Sequence, residues 1–190
     1  MKEIAITIEG VSPLLIHRFT DTAQMQATSG TRSSIATDSE SPHDQAEQAL
    51  YLDEKGISGI PQPNVFRCIV DAGKFFKAGR SKVTTQKSSI IPACVGIREL
   101  FLPIESADGW KVDTRPVRIP ATGGRILRHR PCYDDWRLSF TVDLDESLIS
   151  PKLFREIVDA AGTRIGLGDF RPDTKGPFGK FKVTRWANGE

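Results

Sequence analysis

Apolar and polar positions alternate along several parts of the chain. From Ile4 to Ile8 every second residue is isoleucine, and a period of two predicts a strand with one buried face. The same alternation predicts strands over Trp136–Asp143 and Phe178–Trp186. Earlier in the chain, the stretches Ile90–Val95 and Glu99–Pro103 have the composition of one interrupted strand or two short ones, with Pro92 at an edge or a bulge.

Apolar residues at helical spacing predict two main helices. We expect Asn64 to be the N-cap of the first, because its side chain can accept a hydrogen bond from the first turn. The second begins at Ser150 and is expected to end at Gly162. A short third helix is predicted after Ser41, since Pro42 is tolerated at the first helical position.

The order of these elements predicts an α+β fold. With the insertions set aside, it reduces to β-α-β-β-α-β, which is the ferredoxin-like (RRM-like) arrangement. We expect a single domain over residues 1–190, with a long polar and acidic insertion at 20–60 after the first strand. A basic hairpin is expected to occupy 105–135, and a glycine-rich loop 162–180. A fold of this kind does not by itself indicate a function.

The composition is that of an ordinary globular protein, with 190 residues of which 38% are hydrophobic and 26% charged. No stretch reaches the roughly 20 apolar residues that span a bilayer, and the first residues lack the apolar core of a signal peptide. We therefore expect a cytoplasmic protein that does not contact a membrane. The cysteines at 68, 94 and 132 form no CxxC pair, so we predict neither disulfides nor a metal site, and no cofactor.

The net charge of +2 hides a strong segregation of charge along the chain. Asp38–Glu54 contains six acids and no Lys or Arg, whereas Arg67–Lys87 contains six bases and one acid. A second basic stretch, Lys111–Arg137, has seven bases and three acids. Such clusters predict contacts with phosphate. The candidates in these two stretches are Arg67, Lys74, Lys77, Arg80, Lys82, Arg118, Arg125, Arg128, His129 and Arg130.

Glycines and bases are also dense between the last predicted helix and the last strand. Glycine permits left-handed turns and lets a ligand approach main-chain amides, and neighbouring bases supply charge for phosphate. The candidate residues of this segment are Arg164, Gly166, Gly168, Arg171, Lys175, Gly176 and Gly179.

Aromatic residues near the basic regions are candidates for base stacking. They are Phe75, Phe76, Tyr133, Trp136 and Phe170. We predict core positions for most of them, and for Phe75 and Trp136 in particular, because both fit predicted apolar faces.

The run Gly166-Leu-Gly-Asp-Phe-Arg-Pro, followed by Gly-Pro-Phe-Gly-Lys-Phe, resembles the C-terminal glycine-rich loop of the RAMP superfamily of CRISPR-associated RNA-binding proteins. Ile60-Pro61 leading into a helix with Arg67, and the basic excursion in mid-chain, are similar to backbone subunits of CRISPR effector complexes. The pattern also looks like that of small proteins of phage and prophage genomes. The resemblance implies copies that line up along one strand as a homo-oligomer or filament, with CRISPR effector subunits as possible partners.

Three functions are consistent with these features. We favour a non-enzymatic, largely sequence-independent binder of single-stranded RNA or DNA, with RNA preferred, that assembles along the strand. The second is a metal-independent endoribonuclease of RAMP type, for which His17 is a weak candidate as the general acid or base. The third is a phage decoy that imitates a CRISPR subunit and uses the acidic segment Asp38–Glu54 as its contact surface.

Overall fold

The central sheet of the protein is built from strands that are far apart in the sequence. A computed structural model describes residues 1–18, 41–118 and 123–188. Its architecture is α+β with antiparallel sheets, as the sequence predicts.

The strands, in chain order, are β1 (Lys2–Gly10), β2 (Leu14–Leu15), β3 (Gly59–Pro61), β4 (Lys77–Ala78), β5 (Ser81–Lys82), β6 (Val95–Ile97), β7 (Phe101–Pro103), β8 (Lys111–Arg118), β9 (Arg125–Tyr133), β10 (Arg137–Leu144) and β11 (Phe181–Asn188). The α-helices are α1 (Pro42–Gln48), α2 (Gln62–Ala72), α3 (Ile91–Cys94) and α4 (Pro151–Ala160). Short 3₁₀ turns cover Gly73–Phe75 and Pro172–Thr174, and a π-helical turn covers Ala161–Ile165.

Four strands form the main sheet in the order β11-β1-β10-β6, and each neighbouring pair is antiparallel. On β1 the side chains of Ile4, Ile6 and Ile8 are buried, and those between them are not. The alternation therefore divides the sheet into a core face and an outer face, as period two requires. The apolar faces of α2 and α4 belong to the same core cluster as these isoleucines.

Helix α2 begins three residues earlier than the sequence predicts. Pro61 is its N-cap residue and Gln62 its first residue, so the prediction of Asn64 as the cap is wrong. The first turn already contains a proline, which has no N–H that would need a cap. At α4 the prediction is correct, because the Ser150 hydroxyl accepts a hydrogen bond from the amide of Leu153 at 3.3 Å.

Gly162 does not end α4. The helix continues as the π-helical turn, and a Cβ at Gly162 would lie 2.1 Å from the carbonyl oxygen of Phe181. This glycine therefore lets the helix end approach β11 closely. A second difference is that Ile91–Cys94 forms the helical turn α3 where an extended segment was expected, and the strand begins only at Val95.

Helix α1 begins as predicted, since the Ser41 hydroxyl accepts a hydrogen bond from the amide of Asp44 at 3.2 Å. Residues 20–40 of the polar and acidic insertion predicted at 20–60 lie outside the described residues. Within the described ranges, none of the helices has the length and apolarity needed to cross a membrane.

Strands β8 and β9 form a long antiparallel hairpin, which we call the arm. Its register runs from Lys111 opposite Cys132 to Arg118 opposite Arg125. At its base, β9 also pairs with β2. The residues of the bend, 119–122, lie outside the described residues.

Candidate nucleic-acid interface

The glycine-rich loop, residues 162–180, is folded tightly on itself. Gly168 and Gly179 have φ values of +72° and +67°, a region that favours glycine. A Cβ at Gly168 would lie 2.3 Å from the carbonyl oxygen of Leu15, and one at Gly179 would lie 1.8 Å from that of Leu167. These glycines therefore allow the chain to approach its own backbone, a use that the sequence does not reveal.

Many main-chain amides of the loop donate to carbonyl groups of the protein itself. The amide of Leu167 donates to Gly179 at 2.9 Å, and that of Gly179 donates to Pro13 at 2.8 Å. The amide of Gly176 donates to the Arg171 carbonyl at 2.9 Å. These three amides are occupied, so the loop presents side chains to a partner rather than this set of amides.

A cavity of about 260 Å³ lies between α2 and the loop. Its lining includes His17, Arg67, Gly166, Gly168 and Arg171, so the structure brings together five residues that the sequence singled out separately. The side chain of Arg67 is 74% exposed, and its Nε donates to Asp71 Oδ1 at 2.9 Å. Arg171 Nη1 donates to the Gly168 carbonyl at 3.1 Å.

Cys68 also lines the cavity. Its thiol is buried and lies 3.3 Å from the carbonyl oxygen of Gly166, to which it donates. Burial raises the pKa of this thiol far above its ordinary value. The sulfur is therefore protonated at neutral pH and is not a nucleophile.

Asp169 connects the cavity to the base of the arm. One of its oxygens, Oδ2, lies 3.4 Å from Nδ1 of His17 and 2.6 Å from Nη1 of Arg130. The hydrogen bonds from His17 and Arg130 lower the pKa of the Asp169 carboxyl well below its ordinary value, although partial burial opposes them. Asp169 is therefore ionised at neutral pH. The sequence does not single it out, since neither of the two acids of this basic loop, Asp169 and Asp173, belongs to a distinguishing pattern.

Arg130 is placed differently from the other bases of the arm. It is 5% exposed, and its charge is neutralised by Asp169. In this structure its guanidinium holds the loop, whereas the sequence suggested that it faces phosphate. His129, next to it, places Nδ1 2.8 Å from the Thr114 hydroxyl, and Arg128 is exposed.

Like charges face each other directly across two hairpins. On the arm, the register places Arg115 opposite Arg128 and Arg118 opposite Arg125. In the small β4–β5 hairpin, Lys77 lies opposite Lys82. Directly opposed like charges destabilise an antiparallel pair. Arg115 is neutralised by Asp113 at 2.8 Å, so the arm holds positive charge at a cost to its own stability at Arg118 and Arg125, as the β4–β5 hairpin does at Lys77 and Lys82.

The remaining predicted bases lie beside α2 and the loop. Lys74 Nζ is 2.9 Å from Asp173 Oδ1, and the Arg164 guanidinium lies over the ring of Phe75 at 4.8 Å. Arg80 is exposed in the turn of the β4–β5 hairpin, and Lys175 is exposed after the second 3₁₀ turn.

The outer face of the main sheet is a different kind of surface. Arg98 bridges Glu3 at 2.6 Å and Asp143 at 2.7 Å, and Arg137 pairs with Glu9 at 2.6 Å. Among the described residues, the outward positions of its four strands include no aromatic residue. Arg98 and Arg137 on this face are paired with acids, and none of its described outward positions offers a ring for stacking, so we place the candidate interface on α2, the loop and the hairpins.

Two predictions about the aromatic residues have different outcomes. Trp136 and Tyr133 are buried, with 3% and 2% exposure, as expected of core residues. Phe75 is 44% exposed, so its predicted core position is wrong.

Comparisons with known proteins find a similar fold but no similar sequence. No family model and no curated protein matches the sequence. A chain of the cryo-EM structure of the Type III-B Cmr-beta bound to cognate target RNA has a similar fold, with a TM-score of 0.62 and 12% identity. The match covers 98% of the present chain and 60% of that chain, so the present chain spans less than two thirds of its length. At 12% identity this likeness is one of fold alone.

Proposed function

We propose that this protein binds single-stranded RNA without catalysis and largely without reading its sequence. The bound strand follows a surface made of α2, the glycine-rich loop, the β4–β5 hairpin and the arm. The observation that carries this proposal is the set of like-charge pairs without a neutralising acid among the described residues: Lys77 with Lys82, and Arg118 with Arg125.

Like-charge pairs favour the binding of a polyanion for an electrostatic reason. Each pair raises the energy of the free protein, and a polyanion that neutralises both members removes the repulsion. Contacts of this kind go to phosphates, which are the same for every nucleotide, so they position a strand without specifying its bases.

The fold supports the same conclusion. The sheet order β11-β1-β10-β6, with α2 and α4 on one face, fits a ferredoxin-like core of the RAMP type in which the arm is an insertion. The Cmr-beta structure with a similar chain is described as bound to target RNA. We extend RNA binding from that protein to this one, together with assembly of several copies along one strand and a role beside CRISPR effector subunits.

The test is the state of the protein after purification at low salt. We expect an absorbance ratio at 260 and 280 nm that reveals bound nucleic acid, a molar mass of several copies, and loss of both after treatment with ribonuclease. A protein that is free of nucleic acid and also fails to bind an added RNA 30-mer would contradict the proposal.

A second candidate function is RNA cleavage without a metal, and one contact favours it. His17 lines the cavity beside Arg67 and Arg171, with its Nδ1 3.4 Å from the Asp169 carboxylate. A carboxylate that orients a histidine is the arrangement of a general base, and two arginines can neutralise a phosphate in the same cavity. Cleavage in the presence of EDTA that disappears in His17→Ala would establish this function, and intact RNA after long incubation would exclude it.

A further inference from the structure

The ring of Phe75 is exposed in the middle of the basic surface. Phe75 and Phe170 are the exposed phenylalanines of the described ranges. The Arg164 guanidinium carbon lies 4.8 Å from the centre of the Phe75 ring, and Lys74 Nζ lies 5.2 Å from it. An exposed aromatic ring with two cations against it is unusual for a surface that serves only solubility.

The backbone fixes this ring in its outward position. Phe75 ends the 3₁₀ turn after α2, and the next residue, Phe76, packs against the core. A Cβ on Gly73, the first residue of the turn, would lie 2.4 Å from the Thr84 hydroxyl, which itself donates to the Val70 carbonyl at 2.8 Å. The turn is therefore packed tightly, and Phe75 cannot turn inward without displacing Phe76.

The charges around the ring indicate what it contacts. Lys74 is joined to Asp173 of the glycine-rich loop, so Phe75 lies where α2 meets this loop. The opposed Lys77 and Lys82 follow directly in the β4–β5 hairpin. A ring bordered by basic side chains on two sides matches a nucleotide, which has an aromatic base beside its phosphates.

Phe170 does not have this setting. Its ring centre lies 6.0 Å from that of Phe178, which is buried and has Arg115 over it at 4.8 Å. Phe170 thus already packs against another ring of the protein.

We propose that Phe75 is a stacking platform for one nucleobase of the bound RNA, with Arg164 holding the adjacent phosphate. This inference rests on the proposed function and adds a contact that phosphate binding does not supply. Stacking accepts any base because each has a π-face, and it releases no counterion, so it contributes equally at low and high salt.

The experiment measures binding of two fluorescein-labelled RNA 30-mers, one of adenosine and one with abasic ribose at every position. Phe75→Ala should weaken binding of the adenosine strand by at least about fivefold, as loss of one base stack does. It should leave binding of the abasic strand and the salt dependence unchanged. Phe75→Trp should bind like the wild type. Leu100→Ala is the control, since Leu100 is 82% exposed and lies beside the start of α2, at the opposite end from Phe75.

The outcomes test the stacking platform and the proposed function separately. If Phe75→Ala loses the same affinity for both strands, or none for either, the stacking platform is overturned. Binding by the wild type would in that case still support the proposed function. Failure of the wild type to bind either strand would overturn both. A circular dichroism melting curve for each variant shows whether it is folded.

Discussion

Arg130 Nη1 donates to Asp169 Oδ2 over 2.6 Å and so joins the base of the arm to the glycine-rich loop. The arginine is almost fully buried, and its Nε has no partner among the described residues. A buried guanidinium is costly unless its charge is neutralised. The pair therefore fixes the arm relative to the loop. The arm and the loop are both parts of the proposed RNA-binding surface.

Removal of this contact should destabilise the protein. We expect Arg130→Ala to lower the free energy of unfolding by about 2–3 kcal/mol, less than for a fully buried pair because Asp169 is partly exposed. Urea denaturation measures the change. Arg128→Ala is the matched control on the same strand, and its exposed side chain should cost no more than about 0.5 kcal/mol. Equal effects of the two substitutions would show that the contact is not important for stability.

The lowered pKa of Asp169 predicts a dependence of stability on acid pH. A carboxyl with a lower pKa in the folded state stabilises the fold above its unfolded pKa of about 3.9. This contribution is lost as the pH falls from there toward the lower pKa of the folded state. We therefore expect the difference in stability between wild type and Asp169→Asn to be largest near neutral pH and to shrink below pH ~4. A difference that is constant from neutral to acid pH would contradict this.

Gly179 should be more sensitive to substitution than a glycine with a similar φ at the surface. Gly179→Ala introduces both a left-handed alanine, which costs about 1–2 kcal/mol, and a clash with the Leu167 carbonyl. Gly56 has a φ of +78° but no atom within 4 Å of a Cβ, so Gly56→Ala carries the first cost alone. Thermal unfolding should show the larger loss for Gly179→Ala, and equal losses would mean that the loop relaxes around the new methyl group.

In the proposed function, the outer part of the arm supplies charge for RNA binding. Changing Arg118, Arg125 and Arg128 together to Ala should weaken binding and reduce the slope of log K against log salt by about 2, if each contacts one phosphate of a single strand. The control with the same change in net charge replaces Arg98, Arg137 and Arg155, which lie on the outer sheet face and on α4. Similar losses in both triple variants would indicate a general effect of charge rather than an interface.

The α+β class and most strands were predictable from the sequence, because period two in β1 and helical spacing in α4 are local patterns. The exposed ring of Phe75 was not predictable in this way. Phe75 and Phe76 are neighbours of the same type, and only the path of the chain after α2 decides which one is buried.

The candidate site was predictable in its residue types but not in its geometry. The sequence places Arg128 and Arg130 on one face of β9, yet Arg130 is buried because Asp169, 39 residues later, lies beside it. The glycines of the loop were predicted to let a ligand approach the main chain, whereas Gly168 and Gly179 let other parts of the protein's own backbone approach it. The burial of Arg130 and the packing of these glycines depend on contacts between distant segments, which no local sequence pattern contains.

The most direct test of the account is the affinity of the wild-type protein for a labelled single-stranded RNA 30-mer as a function of salt. With about six phosphate contacts, the affinity should fall about 300-fold between roughly 50 and 200 mM salt, and it should change little with the sequence of the strand. Binding that is independent of salt, or no binding at the lower salt concentration, would contradict the account.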